Sequence, residues 1–248
     1  MTECGTITRE QVLENLKASG ADSADWAAVS QLLLQRYSCR AFRPDPVAKA
    51  PLAEIFAVAQ FSANWCNAQA WQVIVTEGEA TDRFRQALTA LVADPPAGSR
   101  PDIAFPVKYE GAFAQRRRDA GLALYQSAGI TREDKAGALQ QMQENYRLFG
   151  APHVAIVTTE ADLGTYGAVD CGIYLANLMA LMQARGLASI AQGALPRFSE
   201  QIRAFFDIPD NRHVLCALSF GFADDTAPVN QFRTTRAEVD QAVRWVSE

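Results

Sequence analysis

From Asp162 to Arg185 the chain reads as one long helix, with Val169, Ile173, Leu175, Ala176, Leu178, Met179 and Met182 making it nearly apolar all round. Such a helix has to be covered on every side, by its own core or by another subunit. Gly186 follows as its C-cap. Everything else must therefore wrap around a buried rod. The periodicity supplies short strands for that purpose: a buried one over Val73–Thr76, a second over Ala155–Thr158, a small-residue strand and loop over Ala188–Leu195, and another over Val214–Phe220. Helical spacing recurs over Trp26–Arg36, Pro51–Ser62, Thr81–Val92, Gly111–Ala128 and Thr131–Phe149, the last opened by a capping-box-like Thr131-Arg-Glu-Asp134. Ser199 is expected to cap a helix through Phe206, and a last helix is expected at the C-terminus. Residues 1–24 are polar and carry no evident chemistry.

Composition removes several function classes. A net charge of -5 argues against a general nucleic-acid binder, which needs excess Lys and Arg to neutralise phosphates. Five scattered cysteines (Cys4, Cys39, Cys66, Cys171, Cys216) form no C-x-x-C and read as reduced thiols. The two histidines, His153 and His213, are too far apart in sequence to support a zinc site or a His-based triad, so no metal is expected. With no signal-peptide pattern and no apolar run near the ~20 residues of a membrane span, the expected location is the cytoplasm, with no membrane partner.

Three polar patches remain. Arg36-x-Ser38-x-Arg40 places two guanidiniums and a hydroxyl within five residues, the donor set a phosphate requires, although a surface ion-pair cluster would use the same residues. In Ala63–Val75 the amides of Asn64, Asn67 and Gln69 precede an apolar strand; they suit a heterocycle with alternating donors and acceptors, or a turn that satisfies its own backbone. Arg233-x-x-Arg236 is cationic again, on an extended tail. A fourth basic run, Arg116-Arg117-Arg118, lies on a predicted helix in the long insert, where a solvated face and a lid over a site are both open.

Taken together, the patches resemble the flavin-dependent nitroreductase family. Its opening motif, R-R-S-x-R-x-F followed by P-V, is matched by Arg36-Tyr-Ser-Cys-Arg-Ala-Phe42 and Pro46-Val47. Its A-P-S-x-x-N-x-Q-P-W loop is matched by Phe61-Ser-Ala-Asn-Trp-Cys-Asn-Ala-Gln-Ala-Trp71, and its D-x-G helix, G-L strand and F-R-T-x-R tail by Asp170-Cys-Gly172 with Asn177-Leu178, Gly186-Leu187 and Phe232-Arg-Thr-Thr-Arg236. Two departures stand out: Ala70 replaces the family's Pro, and the Pro-Ser before the loop is missing.

The resemblance implies an α+β fold with a central, mostly antiparallel sheet flanked by helices. It implies a single domain over 1–248, with a helical insert or lid at 94–149 and a dimer-swapped tail at 226–248. It further implies an intertwined homodimer with FMN at the subunit interface. Arg36, Ser38 and Arg40 would hold the phosphate and ribityl chain, with Arg233 and Arg236 supplied by the partner subunit. Asn67 and Gln69 would address flavin polar atoms, and Tyr37, Asn64 and Trp65 fall inside the same cofactor-binding motifs. Gln192 and Gly193 match the place where backbone groups lie near flavin N5 and O4. Arg147 would be the fixed cation near N1 and O2 that favours reduced flavin.

The function implied is FMN-dependent, ping-pong hydride transfer from NADH or NADPH to a small aromatic substrate, a nitroaromatic or a quinone, with no catalytic side chain beyond these. Arg116, Arg117 or Arg118, turned inward, would favour an acidic aromatic. A family-related dehydrogenase, oxidase or reductive dehalogenase and a flavin-sequestering protein are the alternatives.

Overall fold

The structure, a computed structural model, describes residues 6–19 and 23–247. Cys4 lies outside them; Cys39, Cys66, Cys171 and Cys216 are free thiols, and no group of metal-ligating side chains occurs among the described residues. No described helix is long and apolar enough to cross a membrane.

In chain order the elements are β1 (Thr6–Ile7), α1 (Arg9–Ser19), α2 (Ala24–Gln35), α3 (Lys49–Ala59), β2 (Trp71–Thr76), α4 (Glu79–Ala93), α5 (Gly111–Ser127) and α6 (Lys135–Gln143). There follow β3 (His153–Glu160), α7 (Gly164–Ala184), β4 (Ala188–Gln192), α8 (Ser199–Phe206), β5 (Arg212–Gly221) and β6 (Arg236–Ala237). Four strands make one antiparallel sheet in the order β2-β3-β5-β4, which bears out the α+β reading; β1 and β6 pair separately.

Strand β3 is apolar and buried from His153 to Thr159 because both of its faces are covered. Its period of two sends Ala155 and Val157 into a core with Leu52 and Ile55 of α3 and Tyr174, Leu178 and Met182 of α7. Val154 and Ile156 face the other core, with Phe84 and Leu88 of α4 and Ile202 of α8. Strand β2, expected to be buried, is instead an edge: only Trp71 and Thr76 are buried and Val75 is 39% exposed, because a single neighbour covers it.

Helix α7 is the long rod. Gly167, Cys171, Tyr174, Leu178 and Met182 form its buried stripe, Tyr174 stacking on Trp71 at 4.8 Å, whereas Tyr166, Val169 and Ile173 stand exposed on the other side. Part of its apolar surface thus lies outside the core of its own chain.

Local corrections concern helix ends. α6 starts at Lys135, where the Asp134 carboxylate accepts from the Gly137 N–H at 2.8 Å, and the chain leaves it before Asn145 for a tight turn; the run expected over Thr131–Phe149 is therefore short. Leu148 and Phe149 take left-handed φ there, which no helix permits. Ser199 lies inside α8 and not at its cap: its hydroxyl donates to Pro196 O and accepts from the Asp102 N–H. The expected terminal helix is a single 3-10 turn, Val239–Gln241. Buried His153 is structural, donating through Nδ1 to Thr76 O and accepting the Val47 N–H at Nε2.

Candidate functional site

The segment Arg36–Phe42 leaves α2 extended and runs beside the β4 edge, where Ser38 bridges Ser189 and the Cys39 N–H donates to Ser189 O at 3.2 Å. This extended path turns the side chains of Arg36, Ser38 and Arg40 into one small cavity of about 60 Å³, which Arg9, Tyr37, Phe232, Arg233, Thr234 and Arg236 also line. Five guanidiniums and no carboxylate surround it, and among the described residues none of the five forms an ion pair. Backbone carbonyls hold four of them: Arg9 donates to Gln35 O and Arg36 O, Arg40 to Ser38 O, Arg233 to Asn230 O and Phe232 O, and Arg236 to Thr235 O. A carbonyl fixes a guanidinium in place without neutralising it. The charge stays available to an anion, and phosphate, with its geometry for forked donors, is the anion such a set fits.

Electrostatics record the crowding. Burial, and then Arg233, Arg236 and Arg36, hold Arg9 below the usual arginine range; burial and then Arg236 act on Arg36, and burial lowers Arg40. Burial, as the first cause, raises Tyr37 to about 12, so its phenol is neutral under the Arg233 guanidinium, which stacks 3.8 Å from the ring centre.

The tail belongs to the same chain as the arginines it joins. Asn230, buried, accepts the Arg40 N–H at 2.8 Å and donates to Ala41 O and Asp224 O, while β1 pairs with β6. These bonds place Arg233 and Arg236 beside their own chain's Arg36 and Arg40, correcting the expectation that a partner supplies them.

At the far end of β4, roughly 10 Å along the strand from Ser189, come Gln192 and Gly193. Gln192 is buried and fully engaged, donating to Asn145 O at 2.6 Å and accepting from the Ser219 hydroxyl. Gly193 is exposed, and a Cβ added there would meet no atom within 4 Å. The bond to Asn145 ties this end of β4 to the turn carrying Arg147. That guanidinium is half-exposed, paired with Glu144 at 2.8 Å, and the Arg147 carbonyl accepts from Arg85.

The amide loop is elsewhere. It enters β2, at the other edge of the sheet and at the other end of the strands: three strand spacings across and about six residues along, roughly 14 Å by roughly 20 Å from Ser38. One chain does not bring both regions to one mononucleotide. Cys66, Asn67 and Gln69 all take left-handed φ near +50°, a conformation that costs about 1 kcal/mol or more per residue. Internal bonds hold it: Asn64 accepts the Gln69 N–H and donates to Ser62 O, the Trp65 N–H donates to Asp170, and Arg212 donates to Ala70 O at 3.0 Å. Trp65, 61% exposed, leans on Tyr166 of α7, and the exposed Asn67 side chain forms no hydrogen bond with another described residue.

Arg116, Arg117 and Arg118 join neither region. Arg116 donates to Gln241, Arg117 lies over the Tyr109 ring, and Arg118 donates to Gln115 along α5. Three residues that do shape the site escaped the sequence reading. Arg9 sits in a stretch with no pattern, and Asn230 and Arg212 act through contacts more than a hundred residues away in sequence, which no local motif signals; Asp170 was in view as part of the D-x-G match, but its bond to the Trp65 N–H was not.

The family model described as "Nitroreductase family" matches residues 33–222. The chain belongs to the nitroreductase family. It is 36% identical over 222 residues to nitroreductase NfnB of Mycolicibacterium smegmatis, covering 88% of this chain and 92% of that protein. It is 31% identical to a 4-nitrobenzoate reductase of Pseudomonas putida over 83% of this chain and 89% of that one. The crystal structure of the FMN-dependent nitroreductase NfnB from Mycobacterium smegmatis in complex with NADPH superposes with a TM-score of 0.85 at 34% identity, covering 90% of this chain and 99% of that one. The span matched by the family model stops short of Arg9, Arg233 and Arg236, although the last two fall in the tail whose motif resembles the family's.

Proposed function

We propose that this protein is an FMN-dependent NAD(P)H oxidoreductase that reduces nitroaromatic compounds and works as a homodimer with its sites between subunits. What carries the proposal is the cluster of Arg36, Arg40, Arg233 and Arg236 with Ser38, the last three arginines held by carbonyls and the whole left without carboxylates at one end of the β4 edge. Relatives that reduce nitroaromatics and a close fold neighbour that holds NADPH support the chemistry. Bound there, FMN supplies hydride transfer in two half-reactions, from reduced nicotinamide and then to the nitro compound.

The chain's own residues then do the following. Arg36, Ser38, Arg40, Arg233 and Arg236 grip the phosphate, and the Tyr37 ring backs Arg233. Gly193 leaves room for a flat ring to lie against backbone, and Gln192, its side chain locked, fixes that backbone. Arg147, on the turn tied to Gln192, would supply the cation near the charge that accumulates on reduction by giving up its pair with Glu144. Asn64, Trp65, Asn67 and Gln69 reach the ligand from a second copy, because their own chain's cluster sits at the opposite corner of the sheet. The exposed Tyr166, Val169 and Ile173 of α7 are the face on which that copy packs. Arg116, Arg117 and Arg118 stay outside the assignment, since their guanidiniums are engaged along α5 and with the tail.

Purified protein is expected to be yellow, to bleach with NADPH or NADH under anaerobic conditions, and to recover its absorbance on addition of 4-nitrobenzoate. Protein that is colourless and fails to bind added FMN sinks the proposal.

A further inference from the structure

The N-terminal segment lies ahead of the span the family model matches, yet it meets the cation cluster directly. Strand β1 pairs antiparallel with β6, Thr6 opposite Ala237 and Ile7 opposite Arg236, so the start of the chain is laid along the tail that carries two of the cluster's arginines. Two residues on, Arg9 opens α1 and sends its guanidinium to the end of α2, donating to Gln35 O at 3.3 Å and Arg36 O at 2.8 Å. Carbonyls at a helix C-terminus lack intrahelical partners and sit at the negative end of the helix dipole, so a guanidinium docks there well.

Two of the five donors of Arg9 are fixed this way, and the residue lines both the small cavity and a larger one of about 810 Å³ between α1 and α2. Glu10, the neighbouring carboxylate, is exposed and lines only the larger cavity. Arg9 is therefore pressed against Arg36, Arg233 and Arg236 with nothing anionic in the small cavity between them. A cap on α2 alone does not require that crowding.

We propose that Arg9 is a fifth phosphate-binding guanidinium, and that the N-terminal segment, clasped to the tail by β1 and β6, closes the phosphomonoester end of the flavin site. The inference rests on the flavin reading above and adds a binding group from outside the matched family span. It predicts a contribution that depends on the ligand's phosphate and on nothing else about the ligand.

The test compares dissociation constants for FMN and for riboflavin, which lacks the phosphate, in the flavin-stripped full chain. In the Arg9→Met variant the FMN constant should rise about tenfold, the loss of one charge-assisted contact, with riboflavin unchanged; Arg9→Lys should recover part of the loss. An unchanged FMN constant in Arg9→Met overturns the proposal. So does an equal weakening of FMN and riboflavin, which would make Arg9 a helix cap and no more. Wild-type protein that binds neither flavin overturns the parent reading as well, a result distinguishable from either of these.

Discussion

The cation cluster and the amide loop stand at opposite corners of one sheet and are stabilised in opposite ways. The cluster is assembled from three separate parts of the chain, at Arg9, at Arg36–Arg40 and at Arg233–Arg236, and held by backbone carbonyls and Asn230. The loop is one contiguous stretch with three left-handed residues, held by Asn64 within and by Asp170 and Arg212 from beneath. A charge cluster needs a rigid frame because repulsion would otherwise scatter it. A loop that presents amides needs only a fixed backbone path. One region is thus complete within a chain and hungry for an anion, whereas the other turns an exposed Asn67 side chain outward and, on the proposed reading, serves a second copy.

The largest expected effect separates the two regions between subunits. Arg36→Ala with Arg40→Ala should weaken FMN about a hundredfold or more, two contacts to a charged group at ~1.5–3 kcal/mol each, while riboflavin is spared. Co-expressing that chain with one carrying Asn67→Ala and Gln69→Ala gives mixed dimers in which one site is doubly damaged and the other intact. By the symmetry of a two-fold dimer, about half of the sites should then hold FMN. Mixed dimers as empty as either parent would mean that the loop serves its own chain.

A smaller effect tests the support under the loop. Arg212 is buried and bonded to Ala70 O, Thr158 O and the Thr158 hydroxyl, so Arg212→Met leaves several buried acceptors unmet. We expect a loss of about 3 kcal/mol in thermal or urea unfolding and roughly tenfold weaker binding of FMN and riboflavin alike. A loss confined to FMN would instead tie Arg212 to the phosphate end. The smallest effect concerns the family's missing proline. Ala70 is buried with its carbonyl already held by Arg212, so Ala70→Pro should change FMN affinity by less than about twofold; a large gain would show that the alanine leaves the loop loose.

Much of the fold was legible. Period-two and near-continuous apolar runs marked the strands, and the length of α7 announced a rod with more apolar surface than one core absorbs. The misreadings fall where burial and local geometry part company. Val73–Thr76 has a buried strand's composition but sits at a sheet edge, and Thr131–Phe149 has helical spacing but breaks at the left-handed Leu148 and Phe149. Of the site, the arginines and amides of local motifs were visible, and so was Asp170 as part of a motif though not its hold on the loop; Arg9, Asn230 and Arg212 were not, since nothing near them in sequence distinguishes them from surface or core polar residues.

By itself the sequence determined the chemistry of the parts: guanidiniums grouped for a phosphate, amides grouped for a heterocycle, and too few histidines or clustered carboxylates for anything that needs them. Only the tertiary structure decided how the parts are shared. It brought the tail's arginines to their own chain's Arg36 and Arg40 and put the amide loop out of their reach. The physical reason is that spacing along a chain fixes which groups are neighbours within a few residues, whereas strand order and register fix which corner of the sheet each group occupies.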